Sequence, residues 1–381
     1  MRPEQLSYHI KYSYILSVRS YDPFELQKLQ ALLKSGSAVA ELAAAGEKLL
    51  ADQAAAGVGA AATKAHLQEV FQYALWGNKT DLSMLVDASK LDVNASVKSA
   101  AQGAGAAGAL ILDQFEDVWA GLESKAAGGR VDVILDNAGL ELYTDLLLAD
   151  FLIESGLADQ VHLHGKLLPW FVSDTMEKDL EIVLAALEGA APPEGMQARR
   201  LDLFLASSRR PAPPLSAAQV QQQQWGPVQR LAQRWRGHLA AGRWVYKDHA
   251  FWTTPFPFWW MQQVSPDLYA DLAASKLLIF KGDLNYRQAH MPTPANASLH
   301  DAGACVTGVS PSLKLAFDCR WPLDAPFTDA LGPFRPAPLV TLRTLKADVM
   351  AGLAPGQGAA LDKVDSQWQV NGKFGVVQYA P

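Results

Sequence analysis

The stretch VDVILDNAG (131–139), followed at once by LELYTDLLLADFLI (140–153), decides the fold. VDVIL is a short apolar run of strand length, DNAG is a turn, and the residues after it carry apolar positions three and four apart, the spacing of a helix face. VHLHGKLLPWFVSD (161–174) repeats the arrangement with a strand near 161–164, and KLLIFKGDLNYRQ (276–288) repeats it with a strand near 277–281. FGVVQYA (374–380) reads as a last strand. Strands alternating with helices predict an α/β fold, a largely parallel sheet with helices on both faces. The expected architecture is a Rossmann-like three-layer α/β/α sandwich over residues 126–381.

Upstream, FELQKLQALL (24–33) and HLQEVFQYALW (66–76) have helical spacing, and an alanine-rich tract joins them. Alanine favours helix, whereas Gly57 and Gly59 predict a break. Residues 1–125 are therefore expected to form an all-helical domain. A second small-residue tract, ASVKSAAQGAGAAGALILDQF (95–115), reads as helix and loop of biased composition rather than as a ligand loop. Proline and glutamine in PPEGM, RRPAPPL and QQQQ interrupt the α/β pattern, so residues 190–227 are expected to be a mobile insertion or loop. No fixed-period repeat stands out.

With 381 residues, 49% hydrophobic and 19% charged, the chain is long enough for two to three domain-sized units and lies outside the composition of disordered proteins. Its formal charge of −6 excludes a global basic field for nucleic acid or an anionic membrane, so an anionic ligand must be met by a local cluster. Cys305 and Cys319 are too few for a disulfide framework or a four-ligand zinc site and leave room for one disulfide at most. The first residues lack the uninterrupted apolar core of a signal peptide, and no run of about 18 apolar residues occurs elsewhere. A cytoplasmic setting is expected.

In open parallel sheets ligands bind at the carboxyl ends of strands. Three proposed strands lead there to polar residues: Asp136 and Asn137, then Asp174, then Lys281 and Asp283. Any one of these aspartates alone reads equally as a helix cap. Together, Asp136, Asn137 and Asp174 offer only oxygen donors, which suit a hard divalent cation such as magnesium or manganese. His162 and His164, two apart on one strand, face the same side and read as hydrogen-bond partners rather than metal ligands. Lys166, Lys281, Arg287, Arg343 and Lys346 recur near strand ends, and a metal with such cations is equipment for phosphoryl chemistry.

DNAGLE (136–141), VSDT (172–175), FWTTPFPFWWM (251–261), KGDLNYR (281–287) and RTLK (343–346), in that order, resemble the metal-dependent damage-control phosphatases. Within them the chain looks like the sugar-phosphate phosphatases with an Arg-Thr-x-Lys motif, also described as acidic-residue (protein-glutamate) methyltransferases. DPFELQK (22–28) and WGNKTDLS (76–83) match the helical part, so the resemblance runs from about residue 20 to the end. It implies one divalent metal ion, reported in the family as manganese, cobalt, nickel or magnesium, on Asp136, Asn137 and Asp174, with Asp136 and Asp174 as the catalytic carboxylates. These residues, with Glu141, Asp283, Leu284, Asn285, Tyr286, Arg287, Arg343 and Lys346, match the substrate-binding positions, and Lys346 is expected to meet phosphate.

Asn78 and Asp81 match a motif whose side chains reach the pocket or cap a helix, and the WGNKTDLS segment is expected to close over the site. FWTTPFPFWWM is expected to pack the domain junction. Two departures stand out. Family members carry a longer helical region before the DPF motif, so this chain is expected to be N-terminally shortened, and the 190–227 insertion is long and polar for its place. The resemblance implies hydrolysis of small phosphomonoesters, sugar phosphates such as fructose 1-phosphate or fructose 6-phosphate, in metabolite damage control. The alternatives are S-adenosylmethionine-dependent protein-glutamate O-methylation and a catalytically silent truncated homologue. Methylation ordinarily calls for a glycine-rich turn after the first strand, but here AAQGAGAAG (100–108) and AGGR (127–130) precede the strands and DNAG holds candidate metal ligands. The expected partner is a small phosphate ester, with neither nucleic acid nor membrane.

Overall fold

The computed structural model describes residues 21–55, 59–77, 109–123, 128–189, 215–290 and 321–381, with backbone only for 215–224. Its helices are α1 (Glu25–Lys34), α2 (Gly36–Ala54), α3 (Ala60–Gly77), α4 (Phe115–Glu123), α5 (Leu140–Glu154), α6 (Glu177–Glu188), α7 (Leu215–Ala240), α8 (Pro266–Ala273), α9 (Gly282–Ala289) and α10 (Gln357–Val364), besides shorter helical turns. The strands are β1 (Leu110–Asp113), β2 (Arg130–Ile134), β3 (Gln160–Gly165), β4 (Trp244–Asp248), β5 (Leu277–Lys281), β6 (Leu339–Thr344) and β7 (Gly375–Ala380). Among the described residues these seven strands form one mixed sheet in the order β1-β7-β6-β5-β2-β3-β4. From β6 to β4 all neighbours are parallel, and the only antiparallel pair is β6 with β7.

The expected α/β architecture is the one observed. Val131 and Val133 of β2 and Leu277 and Ile279 of β5 bury one face, with α2 to α7 on it. Ile134, Leu278 and Phe280 bury the other, under the chain that follows β4. This alternation by single residues is the period-two geometry of strands buried on both sides. Fourteen of the fifteen residues of α5 are buried, because the sheet lies on one side of it and α2 and α3 on the other. That double burial explains its nearly continuous apolar sequence.

Three sequence expectations change. Within the stretch expected to be helical, Leu110–Asp113 forms β1 and pairs in parallel with β7. The short run LILD sits beside a small-residue tract that hides its strand character. In the expected 190–227 loop, residues from 215 onward belong to α7, while 190–214 lie outside the described residues. Val228, Leu231, Ala232 and Trp235, just beyond that stretch, make its buried stripe, and glutamine is a good helix former, so the glutamine run does not mark a loop. FWTTPFPFWWM does pack a core, but Phe251, Trp252 and Phe258 join Phe280 and Phe334 on the face opposite α2 to α5, away from the helical junction. Among the described residues, no helix is long and apolar enough to cross a membrane. Cys305, Cys319, Asn78 and Asp81 lie outside the described residues.

Candidate functional site

After β3 and β4 extend the sheet on one side of β2, the chain returns to place β5 on the other, so strand order reverses between β2 and β5. A crevice opens at the carboxyl ends of strands at such a reversal. There the backbone continues β2 beyond its end: Leu135 N–H donates to His164 O (2.9 Å), Thr175 N–H to Asp136 O (2.8 Å) and Ala138 N–H to Ser173 O (2.7 Å). Asn137 and Asp174 face each other in an antiparallel bridge. The loop after β3 thus folds back beside the loop after β2 and brings Asp136, Asn137 and Asp174 together, all three buried.

Their orientations are held by neighbours. Asn137 Nδ2 donates to Asp136 Oδ2 (2.9 Å) and to Glu141 Oε2 (2.8 Å), and Asn137 Oδ1 accepts from the Ser173 hydroxyl (2.6 Å). Lys166 Nζ lies 3.6 Å from Asp174 Oδ2. From α1, Lys28 Nζ donates to the backbone oxygen of Asp174 (2.7 Å), to Asp179 (2.8 Å) and to Asp22 (2.9 Å). Asp179 in turn accepts from Met176 N–H (2.8 Å) at the start of α6. The DPFELQK motif therefore clamps the Asp174 loop from the helical part of the molecule.

Beneath Glu141 lies a fully enclosed ion cluster. Lys281 Nζ is 2.9 Å from Asp145 Oδ1 and 3.2 Å from Glu141 Oε1, and it also donates to Ala74 O of α3. One ammonium between two carboxylates leaves a negative charge in excess. Burial, reinforced by the charge of Glu141 against the pull of Lys281, pushes the Asp145 carboxyl up to about 8.

Asp283 organises a second cluster. Its Oδ1 accepts from Arg343 Nε (2.7 Å) and its Oδ2 from Arg287 Nε (2.8 Å). Burial raises the Asp283 carboxyl, and Arg343, Arg287 and Lys346 outweigh that and hold it below the ordinary carboxylate value. The Lys346 N–H reaches Asp283 Oδ1 at 3.4 Å. The two clusters meet at Gly282, where φ is +81° and an added Cβ would lie 1.7 Å from Asp136 Oδ2. Only glycine lets the β5-to-α9 turn pass so close to that carboxylate.

Of the residues expected to hold metal and substrate, Asp136, Asn137, Glu141 and Asp174 lie together, and Asp283 gathers Arg287, Arg343 and the Lys346 backbone. Leu284, Asn285 and Tyr286 are buried. Asn285 Nδ2 ties Leu135 O (3.1 Å) to Lys281 O (2.8 Å), and the Tyr286 hydroxyl donates to Gln378 Oε1 (2.8 Å) beneath the Arg343 guanidinium. Lys281 and Arg343, expected among the phosphate-facing cations, are wholly buried, and their charge is engaged by Asp145 and Glu141 in one case and by Asp283 with Ala347 and Val349 carbonyls in the other. Sequence reasoning missed Lys28, Asp145 and Asp179. Asp145 had a signal, standing four residues after Glu141 on one helix face. Trp76 and Gly77 close the described part of α3 against α5, where a Cβ on Gly77 would lie 2.2 Å from Thr144 Oγ1.

Among the described residues, two other groups bring carboxylate and imidazole donors within 4.8 Å of one another: Asp132, His162 and His164, and Asp150, Glu154 and His238.

The family described as "Damage-control phosphatase ARMT1-like domain" matches residues 5–361. Among curated proteins, the chain is 35% identical over 319 residues to damage-control phosphatase ARMT1 of Rattus norvegicus, covering 82% of this chain and 58% of that protein. It is 34% identical over 371 residues to the Xenopus tropicalis protein of the same name, covering 95% and 69%. Among solved structures, a DUF89 family protein from Pyrococcus horikoshii aligns over 92% of this chain and 97% of its own, at 13% identity and a TM-score of 0.33. The chain spans 58% of the length of the rat relative. By the extent of the family match and the identity to these relatives, the chain belongs to the ARMT1-like damage-control phosphatase family.

Proposed function

We propose that the chain is a metal-dependent phosphatase of small phosphomonoesters, with sugar phosphates such as fructose 1-phosphate or fructose 6-phosphate as its substrate class, acting in metabolite repair in the cytoplasm. The observation that carries this reading is that Asp136, Asn137 and Asp174 come together at the sheet's reversal point, where the turn at Gly282, just ahead of Asp283, passes against the Asp136 carboxylate. Three hard oxygen donors, two of them carboxylates, fit manganese, magnesium, cobalt or nickel. Asn137 fits best of all, because its amide is oriented by Asp136, Glu141 and Ser173 before any ion arrives. When bound there, a divalent ion supplies Lewis acidity and activates water.

The chain's own residues supply the rest. Asp136 and Asp174 would hold the ion, and Lys166 lies 3.6 Å from Asp174. Lys346 and the partly exposed Arg287 are the cations suited to hold the phosphoryl oxygens, while Arg343 holds Asp283 and thereby orients Arg287. Glu141, buried, holds the Asn137 amide with one oxygen and meets Lys281 with the other. Carboxyl methylation has less support: among the described residues, the turn after β2 is occupied by Asp136, Asn137 and the bridge to Asp174 rather than opened for a cofactor.

The test is phosphate release from a sugar-phosphate panel with manganese and with chelator, alongside the Asp136→Ala variant. The wild-type chain should release phosphate only with metal, and manganese should raise its melting temperature; Asp136→Ala should lose both effects. Unchanged turnover in the variant defeats the assignment. Methyl transfer without phosphate release favours the methyltransferase reading, and neither activity nor metal binding favours a silent homologue.

A further inference from the structure

On the sheet face opposite α5, Asp132 of β2 pairs in register with His162 of β3, and His164 follows two residues on, so all three side chains project together. The three are buried, and the His164 ring lies edge-on to Trp252. His164 Nε2 is 2.7 Å and His162 Nδ1 is 3.5 Å from the same oxygen, Asp132 Oδ1. The carboxylate is turned that way from behind: Arg130 Nε takes Asp132 Oδ2 at 2.7 Å and is itself held by Asp271 at 2.9 Å.

The His162 tautomer follows from its neighbours. Gln160 Nε2 donates to Gly242 O (2.8 Å), which turns Gln160 Oε1 toward His162 Nε2 (2.9 Å). An amide oxygen only accepts, so His162 Nε2 carries the hydrogen and Nδ1 carries a lone pair. That Nδ1 is buried, has no hydrogen-bond partner and faces a carboxylate oxygen. Two electron-rich atoms so placed repel unless a cation stands between them.

We propose that Asp132, His162 and His164 form a second divalent-cation site, separate from the oxygen donors at Asp136, Asn137 and Asp174, and suited to an imidazole-seeking ion such as zinc, cobalt or nickel. Donors about 2.0–2.2 Å from an ion stand roughly 3.3 Å apart in tetrahedral geometry. The 3.5 Å pair already fits, and the 2.7 Å pair must open by about 0.6 Å. His164 moves its hydrogen from Nε2 to Nδ1, which has no hydrogen-bond partner. Arg130 is the outer partner that orients the carboxylate. The ion would join β2 to β3 just ahead of the Asp136 and Lys166 loops, a structural position. The other carboxylate–imidazole group is unsuited, because Arg234 occupies both oxygens of Asp150. This inference does not depend on the phosphatase reading.

The test is a cobalt titration of the full, chelator-stripped chain, followed by visible absorption and by elemental stoichiometry. Expected are two equivalents in the wild type, with a nitrogen-ligated visible band that survives in Asp136→Ala. In His162→Ala and His164→Ala the band should disappear and affinity for that equivalent should fall at least about tenfold, the other equivalent being retained. A wild type that shows no nitrogen-ligated band overturns the site, as does a band lost in Asp136→Ala but kept in the histidine variants. If the histidine variants fail to fold, wild type and Asp136→Ala still decide. Absence of phosphate release in the same preparations speaks to the proposed activity alone.

Discussion

Asp145 has no exposed surface and shares Lys281 with Glu141, so its carboxyl keeps a proton that an ordinary carboxyl has lost. Its folded value of about 8 stands above an unfolded value near 3.9. Between the two the folded state binds the extra proton, so stability falls as pH rises through that window. Asp145→Asn should flatten that slope, so its melting temperature should drop less than the wild type's between about pH 6 and about pH 8 in calorimetry. Parallel slopes would mean that the proton resides elsewhere. Gly282 gives a second prediction. Gly282→Ala puts a Cβ where the Asp136 carboxylate stands and asks an L-residue to hold φ +81°. A displacement of about 1 Å in a catalytic group costs on the order of 10²-fold, so metal-dependent phosphate release should fall at least that far while far-UV circular dichroism is kept. Full activity would remove Asp136 from the site.

Among the elements, α1 reaches furthest beyond its own neighbourhood. Lys28 is buried between Asp22 and Asp179 while holding the Asp174 backbone, so a motif in the helical part positions a candidate metal ligand after β3. Removing one partner from a buried ion pair leaves the others uncompensated, at a cost of about 3–5 kcal/mol. Lys28→Met should lower urea stability by that amount and weaken manganese binding, and adding Asp179→Asn should restore part of the stability. A Lys28→Met chain with wild-type manganese affinity would reduce the clamp to a packing role. Elements were legible in sequence where hydrophobic periodicity was strong: β2, β3, β5 and β7 lie where the apolar runs predicted them. β1 and the start of α7 were obscured, one by a small-residue tract and the other by proline and glutamine.

At the scale of the molecule, one apolar core runs from Leu32 through α5 to Val377, joining the N-terminal helices to the sheet without a break. Helices and sheet should therefore unfold in a single urea transition by far-UV and tryptophan signals, and a chain starting at residue 109 should lose the cover of α5 and fail to fold. Two separated transitions would show the helical part to be independent. The amino-acid sequence alone determined the α/β class, the strand ends carrying Asp136, Asn137, Asp174 and Asp283, and the family resemblance, because these depend on local periodicity and on short motifs. Only the tertiary structure decided which cations are engaged within the framework. Lys281 and Arg343 read from sequence as phosphate-facing cations, yet their partners Asp145 on α5 and Asp283 on α9 come from elements distant in sequence. It likewise set His162 and His164 around Asp132, on a strand that only sheet register brings alongside. A buried charge is assigned by whatever surrounds it in space, and that neighbourhood is made by strand order and helix packing rather than by spacing along the chain.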